Sequence, residues 1–329
     1  MKIIFAGRAF EKLFPLFSRF FSEHDVRIAD FANLHEALKE AEVLVTGPMK
    51  IDASLLEGAR RLKLIHQWGA GVEMIDIDAC SAAGVALCNV PSGGTGNAEG
   101  VGEIALLHML LLARRYEKAL ENLRRERLHS PQGISLWNKR VCVVGLGGVG
   151  RSVIARLSGF GARITGVNRS WRDDFDSLHL DHFYPLTKVI DALPGCRFVV
   201  IALSVGPGTS GIVDREFLGA MDPDSFLINV GRADLVRRDH LEEALDSGEI
   251  AGAGMDVFWD EPASREDPLP ARSNVTLTPH IGGVTDEAVA GIARFIADNV
   301  SRLYRGERPL SLVNHVPGFP KKDAKRKMS

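Results

Sequence analysis

Short apolar runs recur along the 329-residue chain, separated by helix-length stretches in which polar and apolar positions mix. A first series comprises KIIFAG (2–7), VRIAD (26–30), VLVTG (43–47), LKLIHQWG (62–69) and VALCNV (85–90). A second comprises RVCVVG (140–145), RITGVN (163–168), RFVVIAL (197–203), SFLINV (225–230), GAGMDV (252–257) and VTLTPH (275–280). Several runs are continuously apolar rather than alternating, as expected of strands covered on both faces. Strands alternating with helices imply parallel sheets, and two series imply an α/β chain of two doubly wound parallel-sheet domains.

Between the series, residues 97–116 (NAEGVGEIALLHMLLLARRY) are apolar on most sides and predict one helix. It is a buried helix, a subunit interface, or both, since such a helix needs cover on more than one face. After the second series, Thr285 is placed to cap a helix with Asp286 and Glu287 in its first turn. Val289, Ile292, Ile296, Val300 and Leu303 form its apolar stripe, and Gly306 ends it. The simplest topology returns this C-terminal segment to the first domain. The expected domains are therefore 1–98 with 286–329, and 99–285, joined by two crossings that can act as a hinge.

Composition adds exclusions. The chain is 45% hydrophobic, enough for two cores, and its net charge of −2 with a pI near 6.6 points to no nucleic-acid partner. Cys80, Cys88, Cys142 and Cys196 sit singly in or near apolar runs and read as buried thiols of a reducing compartment. Met1 runs straight into a strand, and the longest apolar run, Ile104–Ala113, is half a membrane span and contains His108. The expectation is a soluble, cytoplasmic protein with no membrane partner. The basic tail KKDAKRKMS (321–329) reads as solvated.

The chemistry begins at GLGGVG (145–150), directly after one strand and directly before a plausible helix. In that context Gly145 permits the tight turn, and Gly147 lets a pyrophosphate approach the backbone. Gly150 allows the helix to pack on the strand, and Gly148 and Val149 present the helix N-terminus to the phosphates. The following strand should end in an acid that holds the ribose hydroxyls of NAD. It ends instead in Asn168, Arg169 and Ser170. A carboxylate would repel a 2′-phosphate, whereas Arg pairs with one and Ser donates to it, so NADP(H) is expected over NAD(H). The alternative is that Arg169 only lies along the adenine of an NAD site.

Three further residues fall at or beyond strand ends, where parallel sheets bind ligands: Arg232, Glu261 and His280. Together these types can hold a substrate carboxylate, protonate a carbonyl oxygen and stabilise the resulting imidazolium. Singly, each reads as a salt-bridge partner, a loop charge or a surface histidine. His179 and His182 form a lone pair without further ligands, so no metal is expected.

With WGAGVEMID (68–76), GNAEGVGEIAL (96–106), GLGGVG, LINVGRADLV (227–236), GMDVFWDEP (254–262) and TPHIGG (278–283), the chain resembles the D-isomer-specific 2-hydroxyacid dehydrogenases from about Leu44 to Asn299. The resemblance implies a Rossmann cofactor domain inserted into a flavodoxin-like substrate domain. It implies His280 as acid/base, Glu261 as its partner and Arg232 as substrate anchor. It also implies that the backbone at Ala70 and Gly71 binds the substrate carboxylate, that Asp256 lies near the nicotinamide carboxamide, and that Val230 and Gly282 line the cofactor pocket. By the same pattern Leu203 and Ser204 contact the cofactor. Family members are usually dimers held through the cofactor domain, which implies a homodimer here.

There are departures. Glu73 stands where the family usually has Asp, the loop LSVGPGTSG (203–211) is about two residues longer, and the ribose acid is absent. NADP(H)-preferring members resemble glyoxylate/hydroxypyruvate reductases, so the expected activity is reduction of a small 2-oxo acid. The phosphoglycerate branch would carry an Arg where Thr46 stands, with Lys50 nearby. Trp68 and Met49 are candidates to narrow the substrate pocket. A dinucleotide-sensing, peptide-binding dimer of the same fold would also keep Arg, Glu and His. It lacks support here because long disordered arms are missing.

Overall fold

The structure, a computed structural model, describes residues 1–317 and 319, so the basic tail lies outside the described residues. The chain forms two compact units, Met1–Thr95 with Asp286–Ser329, and Gly96–Thr285.

The first unit is built on β1 (Lys2–Ala6), β2 (Asp25–Ala29), β3 (Val43–Thr46), β4 (Leu64–Gln67) and β5 (Ala86–Cys88). All pair in parallel in the order β2-β1-β3-β4-β5, the flavodoxin-like order. Its short connecting helices are α1 (Phe14–Phe20), α2 (Leu34–Leu38), α3 (Ala53–Leu56) and α4 (Ile77–Ala82). The carboxylates of Asp52 and Asp76 accept from the amides of Leu55 and Ala79 and so cap α3 and α4.

The second unit opens with α5 (Asn97–Ala113) and α6 (Tyr116–Arg124). The single helix expected over 97–116 therefore stops at Ala113. The Ala113 carbonyl accepts from the Ile134 amide at 2.7 Å, and Arg115 takes a left-handed φ of 49°. Then follow β6 (Arg140–Val144), α7 (Gly148–Ser158), β7 (Arg163–Asn168) and β8 (His182–Pro185). Next come β9 (Phe198–Ile201), α8 (Arg215–Gly219), β10 (Phe226–Asn229) and α9 (Arg238–Ser247). Last are β11 (Gly252–Met255) and β12 (Val275–Leu277). The order β12-β11-β10-β9-β6-β7-β8 is parallel throughout and reverses beside β6, which places a ligand crevice outside the carboxyl ends of β6 and β9.

In the first unit, alternate residues of each strand serve opposite layers. Ile4, Leu44, Ile65 and Leu87 pack with α2 and α4, while Ile3, Phe5, Val43, Val45 and Leu64 meet α1 and the returning helix α10 (Asp286–Tyr304). Ile292, Ile296 and Val300 of α10 are buried there, and the Gly306 amide closes the helix on the Leu303 carbonyl. In the second unit, Val141, Val143, Phe198 and Val200 face α5 and α7, and Cys142, Val144, Val199 and Ile201 face α8 and α9. All four cysteines are buried free thiols.

The two ends of the second unit lie side by side. A Cβ added at Gly283 would stand 2.2 Å from Asn97 Oδ1, and one added at Gly100 would stand 3.0 Å from Thr285 Cγ2. Among the described residues no helix is long and apolar enough to cross a membrane.

Candidate active site

The glycine loop has the steric signature of a dinucleotide cradle. Gly145 adopts φ 103°, and a Cβ there would meet the Ala202 carbonyl oxygen at 2.6 Å. At Gly150 a Cβ would lie 1.8 Å from the Gly145 carbonyl oxygen, so only glycine lets α7 close on β6. Gly147, by contrast, faces open space, as a position approached by a ligand's backbone-bound phosphates should. Gly148 and Val149 form the first turn of α7. The chain thus fits a nicotinamide dinucleotide at this loop.

At the end of β7, Asn168 Oδ1 accepts from the Leu146 amide at 3.4 Å, and its Nδ2 donates to the Ser170 carbonyl at 3.1 Å. Asn168 therefore ties the glycine loop to the turn that displays Arg169 and Ser170, both exposed. Among the described residues no carboxylate pairs with Arg169. An acid does stand close by in sequence: Asp174 binds Arg151 at 2.7 Å and Arg172 at 3.2 Å.

On β10, the Asn229 side chain shapes the turn beyond the strand. It accepts from the Gly231 amide at 3.1 Å and donates to the Arg232 carbonyl at 2.9 Å. Arg232 is half-buried, donates to the Gly231 carbonyl at 2.8 Å and pairs with no carboxylate among the described residues. A half-buried guanidinium with no acid partner among the described residues is a ready site for an anion.

Beyond β12, His280 Nδ1 meets Glu261 Oε1 at 2.9 Å and Oε2 at 2.8 Å. In that contact Nδ1–H donates to the carboxylate, which leaves Nε2 to exchange a proton. Glu261 is itself held, since its Oε1 accepts from the Phe258 amide at 3.2 Å. His280 adopts a left-handed φ of 53°, a conformation that costs a non-glycine residue about 1–2 kcal/mol. Asp256 sustains it. This carboxylate, 3% exposed, accepts from Thr278 Oγ1 at 2.6 Å, the Ile281 amide at 2.9 Å and the Gly282 amide at 2.8 Å.

Residues 106–282 match the family described as D-isomer specific 2-hydroxyacid dehydrogenase, NAD binding domain. The chain belongs to this family. It is 32% identical over 299 residues to a glyoxylate reductase of Thermococcus onnurineus, covering 87% of this chain and 88% of that one. It is 31% identical over 294 residues to a D-3-phosphoglycerate dehydrogenase of Methanocaldococcus jannaschii. That match covers 87% of this chain but 54% of the relative, so the chain spans about half the relative's length. Among solved structures, a 2-hydroxyacid dehydrogenase from Ketogulonicigenium vulgare superposes with a TM-score of 0.79 at 26% identity, over 95% of this chain and 98% of that one.

Other candidates for this family's site stand as follows. Val230 is buried at the end of β10, Leu203 is half-buried after β9, and Ser204 is exposed with its carbonyl accepting from Thr209 Oγ1 at 2.9 Å. A Cβ on Gly282 would sit 2.8 Å from Asp256 Oδ2, which explains the glycine. Ala70 and Gly71 lie in the first unit on the loop after β4, where the Ala70 carbonyl accepts from Asn89 Nδ2 at 2.6 Å. Trp68 is half-buried at the start of that loop. Its ring packs edge-on against Phe10 and Phe17, at 5.2 and 5.7 Å, because an indole gains more from this apolar cluster than from solvent. Met49 packs against the neighbouring core. No group of His, Cys, Asp and Glu suited to a metal occurs among the described residues.

One residue at the site has no counterpart in the sequence reading beyond its interruption of an apolar run. His108, fully buried on α5, contacts Thr276 Oγ1 through Nδ1 at 2.8 Å and Thr278 Oγ1 through Nε2 at 3.0 Å. Burial pulls its pKa down to about 4 against the raising influence of Asp256, so the ring is neutral at pH 7. Because the Thr278 hydroxyl gives its proton to Asp256, Nε2 must be the protonated nitrogen and Nδ1 the acceptor from Thr276.

Proposed function

We propose that the chain is a 2-oxoacid reductase that uses NADPH to convert glyoxylate or hydroxypyruvate to the D-2-hydroxy acid. The observation that carries this reading is the contact of His280 Nδ1 with both oxygens of Glu261, in the same unit as an Arg232 that has no acid partner among the described residues. Arg232 would hold the substrate carboxylate. His280 Nε2 then gives a proton to the carbonyl oxygen, and Glu261 stabilises the charged ring until that moment. A nicotinamide bound at the glycine loop would supply the hydride to the carbonyl carbon. Asp256 and Gly282 shape the segment that carries His280, and Val230, Leu203 and Ser204 would line the cofactor.

The cofactor preference is supported by the neutral Asn168 and by an exposed Arg169 with no carboxylate partner among the described residues. A second reading, NADH, is favoured by Asp174, which occupies Arg151 and Arg172 and so removes two of three nearby cations from a 2′-phosphate. A phosphoglycerate substrate has less support. Thr46 is fully buried with its hydroxyl donating to the Gly47 carbonyl, and Lys50 is paired with Asp52 at 2.9 Å. A homodimer through the cofactor domain is part of the same proposal, with Leu107 of α5 41% exposed and available to it.

The test is the initial rate of NADPH and of NADH oxidation with glyoxylate and with hydroxypyruvate. Turnover with strong NADPH preference supports both halves of the proposal. Turnover with NADH alone overturns the phosphate site at Asn168, Arg169 and Ser170. No turnover with either cofactor on any small 2-oxo acid overturns the reductase itself. The mass in solution decides the dimer.

A further inference from the structure

Helix α5 does more than cover the sheet. It lies close to β11 because Gly254 has no side chain, and a Cβ there would stand 2.6 Å from His108 Cβ. At this separation the His108 ring reaches across to Thr276 and Thr278, two residues apart near the end of β12. Thr278 is the junction: its oxygen accepts from His108 Nε2 while its proton goes to Asp256 Oδ1. Asp256 in turn receives the two successive amides that follow His280. These two amides directly follow His280, whose backbone is left-handed, so the Asp256 carboxylate pins the chain immediately beyond that residue. The helix also abuts the same segment directly, since a Cβ on Gly100 would meet the Gly282 carbonyl oxygen at 2.4 Å.

We propose that His108 is a positioning residue for the reaction: through Thr278 it orients Asp256, and through Asp256 it fixes the backbone that presents the His280 imidazole. This rests on the reading of His280 as the proton donor. A hydroxyl without the His108 donor is free to rotate away from Asp256, and the carboxylate then loses one of its three ligands. Chains of hydrogen bonds in a buried, low-dielectric setting reinforce one another, so removing one end loosens the other.

The experiment compares the full chain with His108→Leu, His108→Gln and Thr278→Val, using glyoxylate and hydroxypyruvate with either nicotinamide cofactor. A glutamine amide can donate to Thr278 and accept from Thr276, whereas leucine fills the space without either bond. His108→Leu is expected to lower kcat by about tenfold or more, the scale of lost outer-shell support, with KM for the cofactor within roughly twofold. His108→Gln should retain most of kcat, and Thr278→Val should resemble His108→Leu. Hydrogen exchange at Ile281 and Gly282 gives a readout independent of turnover. It should quicken in His108→Leu and Thr278→Val and stay protected in His108→Gln.

Equal kcat in His108→Leu and the parent chain overturns the proposal, as does equal damage from leucine and glutamine. Unchanged exchange at Ile281 and Gly282 in His108→Leu overturns it even where no substrate turns over. An undiminished rate in His280→Ala would instead remove the proton-donor reading. Faster exchange in His108→Leu would then leave the brace standing as a fold element only, which also overturns its role in the reaction.

Discussion

Each unit contains one fully buried histidine that joins a helix to a sheet, and the two have different consequences. In the first unit His66 on β4 places Nδ1 on the Gln67 carbonyl at 3.0 Å and receives Asn299 of α10 on Nε2 at 2.8 Å. In the second, His108 on α5 bonds the two threonines of the β12 segment. Burial lowers the pKa of both to about 4. From His66 the bonds run through Asn299 to the backbone of Leu310 and end there. From His108 they run to Asp256 and the turn that carries His280. A buried neutral imidazole is thus no mark of chemistry in itself; what stands at the far end of its hydrogen bonds decides.

The largest expected effect sharpens that contrast. His280→Ala should lower kcat by roughly 10²–10⁴-fold, the usual worth of a general acid, with cofactor Kd nearly unchanged. Titrating cofactor fluorescence beside steady-state rates checks it, and an unchanged kcat would break the link between the second unit and the reaction. Acid comes next. An unfolded imidazole binds its proton near pH 6.5 and these two bind theirs near 4. The unfolded state therefore gains protons first as pH falls, so the stability present above about 6.5 is lost progressively toward 4. Each histidine contributes on the order of 3 kcal/mol to that loss. Denaturant unfolding at pH 7 and 4.5, followed by hydrogen exchange in β4 and β10, should show both units weakening. A flat response in either would refute the neutral-buried assignment there.

Asn299→Leu should destabilise the first unit by about 2–3 kcal/mol, because it strands His66 Nε2 and both backbone groups of Leu310. Its kcat under folded conditions should match the parent chain, unlike His108→Leu. Equal loss of turnover in both variants would erase the distinction between the histidines. The smallest effect belongs to the cofactor site. Arg169→Ala should weaken NADPH about tenfold and NADH little, read as KM for each cofactor. Equal weakening of both would return Arg169 to the adenine face.

Most of the sheet architecture was legible because continuous apolar strands announce themselves. β8 did not, since His182–Pro185 is a half-exposed edge with a histidine at one end and proline at the other. It is a strand only because β7 pairs with it, from Thr165 against His182 to Asn168 against Pro185. The helix break at Ala113 was equally hidden, because the amide that ends it comes from Ile134 in a distant loop. At the site, the glycine loop follows from residue types and positions, and the His280–Glu261 pairing from the family resemblance. The brace through His108, Thr278 and Asp256 does not, since its members are scattered over three elements and meet only in the fold. Two local signs were present: a histidine in an apolar helix and a glycine at 254 in a strand, where close approach is the usual reason.

The adjacency of Asn97 and Gly283 bears on the order of folding. The first unit must join β5 to α10 across an insertion of about 190 residues, and closing so long a loop costs roughly 4–5 kcal/mol of chain entropy. Once the second unit has formed, its ends stand together and the same junction is bridged by a link of a few residues. Folding of the inserted unit thus converts a remote contact into a near-local one. Pulse-labelled exchange should therefore find β6 and β10 protected before α10 docks, and the reverse order would refute this. On this order the inserted unit acts as a clip that closes its host's longest loop.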